Sequence, residues 1–366
     1  MREHSMRKFS VAVMPGDGIG LEITPPAVEL VREAARQYNV ELEFKTVEAG
    51  AQYYLDTGDG FPEEHFEQAA VADAIYLAAM GLPEVRYPDG TEVGPQHDLR
   101  KRLKLYAGVR PCRTMPNLPL PLADPRSKEL DFVIVRESTE GIFAEPRSHD
   151  LDTDEAAHNL IRVTRDTSRK LFEFSFRLAE RRKLRGHPGL VTCSDKANVL
   201  SSQFFFRNVF YDVANQYSDI QADHQYVDAT ALDLVRCPWR YDVIPTENQF
   251  GDILSDIAAA LMGGMGMSSS GEIGDHNAVF QPCHGSAPDI MGEGKANPTG
   301  MILSGALMLD YLGDKFDVPD LVSAGQRLEG SVMEAYRSGD LLPYELGGQS
   351  GTREITAAIE KSLSSL

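Results

Sequence analysis

The run Phe9 to Met14 is apolar and ends on Pro15-Gly16-Asp17-Gly18-Ile19-Gly20, after which apolar positions from Glu22 to Tyr38 recur at helix spacing. Strand, glycine turn and helix in direct succession constrain the chain to lay a helix back on a sheet. The alternation returns further on. Ala74 to Ala79 reads as a buried strand, Asp98 to Leu105 as a helix with Asp98 near its start, and Phe132 to Val135 as another strand. An α/β fold with a largely buried sheet is expected. At 366 residues the chain is long enough for two domains or one large α/β unit.

Three segments bear on organisation. Pro116 to Arg126 is proline-rich, cannot continue a central strand or a helix, and is the best candidate for a crossing between domains. Asp166 to Lys183 reads as a long helix with a wide apolar arc (Leu171, Phe172, Phe174, Phe176, Leu178, Ala179) and a basic end, the pattern of a packed interface helix; a plain core helix is the alternative. Met262-Gly263-Gly264-Met265-Gly266-Met267, with three serines after it, reads as a turn returning the chain to its first domain.

With 36 basic against 55 acidic residues the formal net charge is −19, which would repel phosphate backbones and anionic lipid, so neither nucleic acid nor membrane is an expected partner. No apolar run approaches a membrane span of about 20 residues, and Met1 to Ser10 lacks the apolar region of an export signal. A cytoplasmic protein is expected. Cys112, Cys193, Cys237 and Cys283 are far apart and form no C-x-x-C pair, so buried thiols are expected, not a zinc knuckle or disulfide framework.

Several groups of residues could carry chemistry. Gly16 to Gly20 fits the dinucleotide fingerprint poorly, because its third glycine falls one place early, and a tight structural turn is the better reading. Asp252 and Asp256, one turn apart at the head of an apolar helix, share a face; like charges there suit a hard divalent cation such as magnesium or manganese, although acids near a helix start are common. Arg100, Arg110 and Arg136 each stand near the end of an expected element, and arginine forks suit a substrate with two carboxylates; surface ion pairs would explain any one of them. Asp195-Lys196-Ala197-Asn198 closes a strand from Gly189 to Cys193, where a lysine beside a cation could accept a proton.

Taken together and in order, these motifs resemble the family of metal-dependent, decarboxylating 2-hydroxyacid dehydrogenases that includes isopropylmalate, isocitrate, D-malate and tartrate dehydrogenases. The resemblance rests on Pro15 to Gly20 with Glu22, Leu99-Arg100, Leu105-Tyr106-Ala107, Arg110-Pro111, Val135-Arg136-Glu137 with Thr139-Glu140-Gly141, and Asp195 to Leu200. It continues through Gln225 to Asp228, Phe250 to Asp256, His284 to Ile290, Ala296 to Thr299 and Leu346-Gly347-Gly348. It implies an isopropylmalate dehydrogenase-like α/β fold, distinct from the Rossmann fold, with two α/β domains around a shared mixed sheet: residues 1–107 with 264–366 on the cofactor side, and 108–263 carrying a dimerisation arm and interface helices. It implies a homodimer with shared active sites.

By the same resemblance, Arg100, Arg110 and Arg136 bind the carboxylates of the substrate, with Gln96 and His97 beside its variable group. Asp228, Asp252 and Asp256 hold the metal, magnesium or manganese. Lys196 and Asp228 serve the chemistry and reach in from the partner subunit. His284, Gly285, Ser286, Ala287, Asp289, Ile290 and Asn297 form the cofactor loop; a carboxylate at Asp289 would repel a 2′-phosphate, so NAD is expected over NADP.

Two departures stand out. Phe143 occupies the place of the family's tyrosine, whose hydroxyl helps protonate the enol, and phenylalanine has no proton to give. The segment before Arg100 reads Gly94-Pro95-Gln96-His97-Asp98, polar where isopropylmalate enzymes are apolar, so a small or polar C3 substituent is expected. The expected function is oxidation of a malate-like 2-hydroxy diacid of the tartrate or D-malate type, with decarboxylation. The alternatives are a dehydrogenase that does not decarboxylate and a catalytically impaired regulatory or binding paralogue.

Overall fold

A computed structural model describes residues 7–144, 155–337 and 340–365. Residues 1–6 of the segment searched for an export signal lie outside the described residues. In chain order the strands are β1 (Arg7–Gly16), β2 (Val40–Thr46), β3 (Ala74–Ala79), β4 (Ala107–Arg113), β5 (Asp131–Glu137), β6 (Leu190–Asp195), β7 (Gln221–Tyr226), β8 (Val243–Thr246), β9 (Ser269–Ile273) and β10 (Ala278–Pro282). They form one ten-stranded mixed sheet in the order β2-β1-β3-β10-β9-β4-β5-β8-β6-β7. The outer strands on both sides pair in parallel, while β10, β9, β4 and β5 are mutually antiparallel at the centre.

The expected alternation of strand and helix is present, and its physical basis is plain. β3 is buried along its whole length, as an inner strand covered on both faces must be. The helix Gly20–Arg36 carries Ile23, Ala27, Leu30, Val31 and Ala34 into the core, and Pro25 and Pro26 in its second turn leave the carbonyls of Leu21 and Glu22 without their usual helical donors.

One half of the sheet (β1–β3, β9, β10) is built from the two ends of the sequence and the other (β4–β8) from its middle. The strands of the two halves pair where Ala107–Val109 of β4 meet Gly271–Ile273 of β9. The proline-rich Pro116–Arg126 segment does not cross between them. It joins the antiparallel neighbours β4 and β5, and touches the other half through Asn117, whose Nδ2 donates to Arg337 O at 2.6 Å. The crossings are the segment from β3 to β4, which holds Arg100, and the turn at Met262–Met267. Of the three serines after that turn, Ser268 ends it, while Ser269 and Ser270 open β9, which is buried throughout.

The helix Arg165–Leu184 buries Leu171, Phe172, Phe176 and Ala179 within its own chain. Phe172 meets Phe206 at a ring-centroid distance of 4.5 Å and Phe176 stacks on Tyr217 at 4.9 Å. These four positions are core packing, while Phe174 and Leu178 of the same arc are half-buried along a surface groove.

Candidate active site

The glycine turn is a structural seat. Gly16 and Gly18 take φ of 68° and 56°, and a Cβ on Gly18 would stand 2.0 Å from Ser286 O, so only glycine fits there. Ile19 N donates to the same carbonyl at 2.8 Å. Asp17, almost fully buried, accepts backbone N–H groups from Ala51 (2.8 Å), Gln52 (2.8 Å) and Gly81 (2.7 Å). The turn carries the loop that begins at His284.

That loop and the junction of the sheet halves enclose a cleft of about 990 Å³. Gln96, His97, Arg100, Arg110, Arg136, Asp252, Asp256, His284 and Gly285 all face it. Arg110 comes from β4, Arg136 from the end of β5, and Gln96, His97 and Arg100 from the helix Pro95–Arg102. The two aspartates stand one turn apart on the helix Asn248–Met262. Gly251 of that helix lets the chain approach Arg136, since a Cβ there would lie 2.7 Å from Arg136 Cβ.

Each arginine has a built-in partner. Arg136 donates from Nε (3.0 Å) and Nη2 (2.7 Å) to Asn248 Oδ1, and from Nη1 to Asp252. Arg100 donates to Glu272 Oε1 at 3.0 Å, and Arg110 donates to the same oxygen. Glu272 is buried; burial pushes its carboxyl up, but Arg100, Arg110 and Arg136 together outweigh that and hold it at about 2. Arg100 Nε, Arg110 Nη1, Gln96 Oε1 and His284 Nε2 are buried with no hydrogen-bond partner among the described residues. Orphaned buried donors of this charge are suited to a carboxylate arriving from outside. Desolvation at the cleft wall, reinforced by Arg100, lowers the His97 pKa and favours its neutral form.

Lys196 and Asp228 are not in this cleft. Lys196 Nζ lies 2.5 Å from Asp228 Oδ1, on the far flank of the β8-β6-β7 end of the sheet. The turn carrying Lys196 is fixed by buried Asp195, which accepts from Arg207 Nε at 2.7 Å and from Ala197 N at 2.8 Å. Among the described residues no group of three His, Cys, Asp or Glu side chains could hold a metal ion. One chain thus brings Asp252 and Asp256 together without Asp228. Burial and the charge of Asp252 raise the Asp256 pKa, a tension that a divalent cation would relieve.

Within the cofactor loop, Ser286 is buried and its hydroxyl donates to Gly81 O. Ala287 takes a left-handed φ of 37°, and Asp289 and Ile290 follow in a short 3₁₀ turn with Asp289 exposed. Asn297 donates to Glu345 Oε1 at 2.7 Å and caps the next helix by accepting from Thr299 N at 3.0 Å. Phe143 lines the cleft, with the Arg136 guanidinium 5.9 Å from its ring centroid.

Glu272 and Asn248 were not among the residues expected from the sequence. Glu272 hides in Ser-Ser-Ser-Gly-Glu-Ile, which reads as a turn. The available signal was that three buried arginines in one cleft require a buried counter-charge.

The model of the isocitrate/isopropylmalate dehydrogenase family matches residues 10–359. A 3-isopropylmalate/3-methylmalate dehydrogenase from Methanocaldococcus jannaschii is 37% identical over 353 residues, 96% of this chain and 98% of that protein. A probable tartrate dehydrogenase/decarboxylase from Bacillus subtilis is 35% identical, over 97% of this chain and 98% of its own length. The apo crystal structure of a beta-decarboxylating dehydrogenase from Thermococcus kodakarensis superposes with a TM-score of 0.80 at 33% identity, covering 98% of this chain and 96% of that one. The chain belongs to the isocitrate/isopropylmalate dehydrogenase family. It is an enzyme, a dehydrogenase with the α/β fold of that family. Among the described residues no helix is long and apolar enough to cross a membrane.

Proposed function

We propose that the protein oxidises a malate-like 2-hydroxy diacid with a small or polar C3 substituent, of the tartrate or D-malate type, and decarboxylates it, using NAD and magnesium or manganese. The observation that carries this reading is the set of buried, unpartnered polar atoms in the cleft: Arg100 Nε and Arg110 Nη1 as carboxylate donors, beside Gln96 Oε1 and a neutral His97. An isopropyl group packed there would leave Gln96 unsatisfied, whereas a substrate hydroxyl would donate to it.

Arg100, Arg110 and Arg136 bind and orient the carboxylates, with Arg136 steadied by Asn248. Asp252 and Asp256 would hold the cation together with Asp228 of a second copy, and Lys196 of that copy would accept the proton of the substrate's 2-hydroxyl; NAD, when bound, would supply the hydride acceptor. The cation, when bound, stabilises negative charge on the 2-oxo and adjacent carboxylate oxygens. The loop from His284 to Ile290 would hold NAD, and the exposed carboxylate of Asp289 on that loop would disfavour a 2′-phosphate. Support for a homodimer comes from exposed apolar side chains around these residues: Val199 just after Lys196, Leu232 and Val235 after Asp228, and Ile253 beside Asp252. Residues 1–107 with 264–366 and residues 108–263 act as two domains about the short β4–β9 junction, in a cytoplasmic enzyme whose four cysteines are free thiols.

Phe143 favours a second reading in which the 2-oxo acid is the product, because this side chain at the cleft wall cannot deliver a proton to an enol. One experiment separates the two. NADH formation is followed over D-malate, tartrate, isocitrate, isopropylmalate and sugar acids with either metal, while carbon dioxide is trapped. Matching NADH and carbon dioxide from malate or tartrate supports the proposal; NADH alone supports the second reading. Faster turnover of isopropylmalate, or a preference for NADP, refutes the corresponding part.

A further inference from the structure

Glu272 stands on β9 opposite Gly108 of β4, at the junction of the two halves of the sheet. Its single oxygen Oε1 takes one N–H from Arg100, which belongs to one half, and one from Arg110, which belongs to the other. Both guanidiniums are thereby held by one edge, and their remaining buried donors, Arg100 Nε and Arg110 Nη1, are left without partners. A carboxylate already placed behind two substrate-facing arginines also sets the charge those arginines present. If a divalent cation balances Asp252 and Asp256, three guanidiniums and one carboxylate give the arginine cluster itself a net charge of +2.

We propose that Glu272 is a positioning and specificity residue that fits the arginine cluster to dianionic substrates and against trianionic ones. The proposal rests on the reading of the cleft as a diacid site. A third carboxylate brought up to the Arg100–Arg110 pair would face the buried Glu272 charge directly behind it. A like charge about 10 Å away at an effective dielectric of about 20 weakens binding roughly tenfold. The extended, buried β9 backbone fixes the Glu272 side chain, so the repulsion cannot be relieved by rotating it into solvent.

The test compares wild type, Glu272→Gln and Glu272→Asp by calorimetric titration with magnesium present and NAD left out, using succinate as the dianion and tricarballylate as the trianion. The expected result is tighter succinate binding by wild type and a shift of the Kd ratio towards tricarballylate by roughly tenfold in Glu272→Gln. Glu272→Asp keeps the charge and should keep the wild-type ratio, even where its shorter reach weakens both ligands. Equal weakening of both ligands in Glu272→Gln would mark a merely structural residue and overturn the proposal. So would a wild type that prefers the trianion or binds neither. Steady-state kinetics gives the second readout: kcat/KM for isocitrate relative to D-malate should rise in Glu272→Gln. If wild type turns over no diacid but the binding ratio still shifts, the proposed reaction fails while the role of Glu272 stands.

Discussion

The separation of Lys196 and Asp228 from the cleft leads to a quantitative prediction about mixed dimers. Lys196 pairs with Asp228 at 2.5 Å, and neither lines the cleft that holds Asp252, Asp256 and the arginines. On the proposed shared-site arrangement, a complete site takes the first pair from one subunit and the cleft from the other. Consider Lys196→Met in one polypeptide and Asp252→Asn in another, each inactive as a homodimer. In the mixed dimer, one site receives both substitutions and the other receives neither. Random reassociation of equal amounts makes about half of the dimers mixed, with one of two sites intact, so activity should return to roughly a quarter of wild type. Mixed dimers purified through two different tags should reach about half. The control pairs Asp252→Asn with Arg136→Met, which disable the same cleft; every site in that mixed dimer carries one lesion and should stay silent. The assay is NADH formation on whichever diacid the wild type turns over, with subunit exchange verified by native mass spectrometry. Silence in the first mixture despite verified exchange, or activity in the control, would refute the shared-site argument.

Two further predictions concern the frame around the cleft. Asp17→Ala strips acceptors from the N–H groups of Ala51, Gln52 and Gly81, buried donors at about 1–3 kcal/mol each; a loss on the order of 3–6 kcal/mol should lower Tm by roughly 10 °C in calorimetry, and Asp17→Asn should fall between. A shift of only about 1 °C would show that water or local movement satisfies those groups. Glu137 is buried and raised to about 7, chiefly by burial and against the hydrogen bonds it accepts from Thr139 and Glu140. A carboxyl raised above its unfolded value of about 4.5 contributes stability that is fully present below that value and is lost as pH rises through about 7. Urea unfolding at pH 5 and pH 8 should therefore show wild type losing up to roughly 3 kcal/mol relative to Glu137→Gln over that interval, and parallel pH dependences would disprove it.

What could be read from the sequence divides along a physical line. β3 was legible because six apolar residues in a row have few other solutions, and the first helix because its apolar positions keep a 3.6 period. Arg100, Arg110, Arg136, Asp252 and Asp256 could be singled out by chemical type, and the fold gathers them in one cleft. Glu272 was not, because its meaning lies in contacts with residues 172 and 162 positions away, and no local pattern encodes them. Asn248 escaped for the same reason, 112 positions from the arginine it steadies. The helix Arg165–Leu184 shows the converse: its apolar arc was visible, but periodicity says only that a face is buried, not whether its own chain or another covers it. Pro116–Arg126 was correctly a connector, yet a break in periodicity carries no information about which strands it joins. Residues that meet the substrate are constrained by chemistry and leave a readable type in the sequence, whereas residues that hold those side chains in place are constrained by geometry alone. Glu272, a charged residue of the second kind, is therefore where a change of one side chain can alter the preferred substrate while leaving every recognisable motif intact.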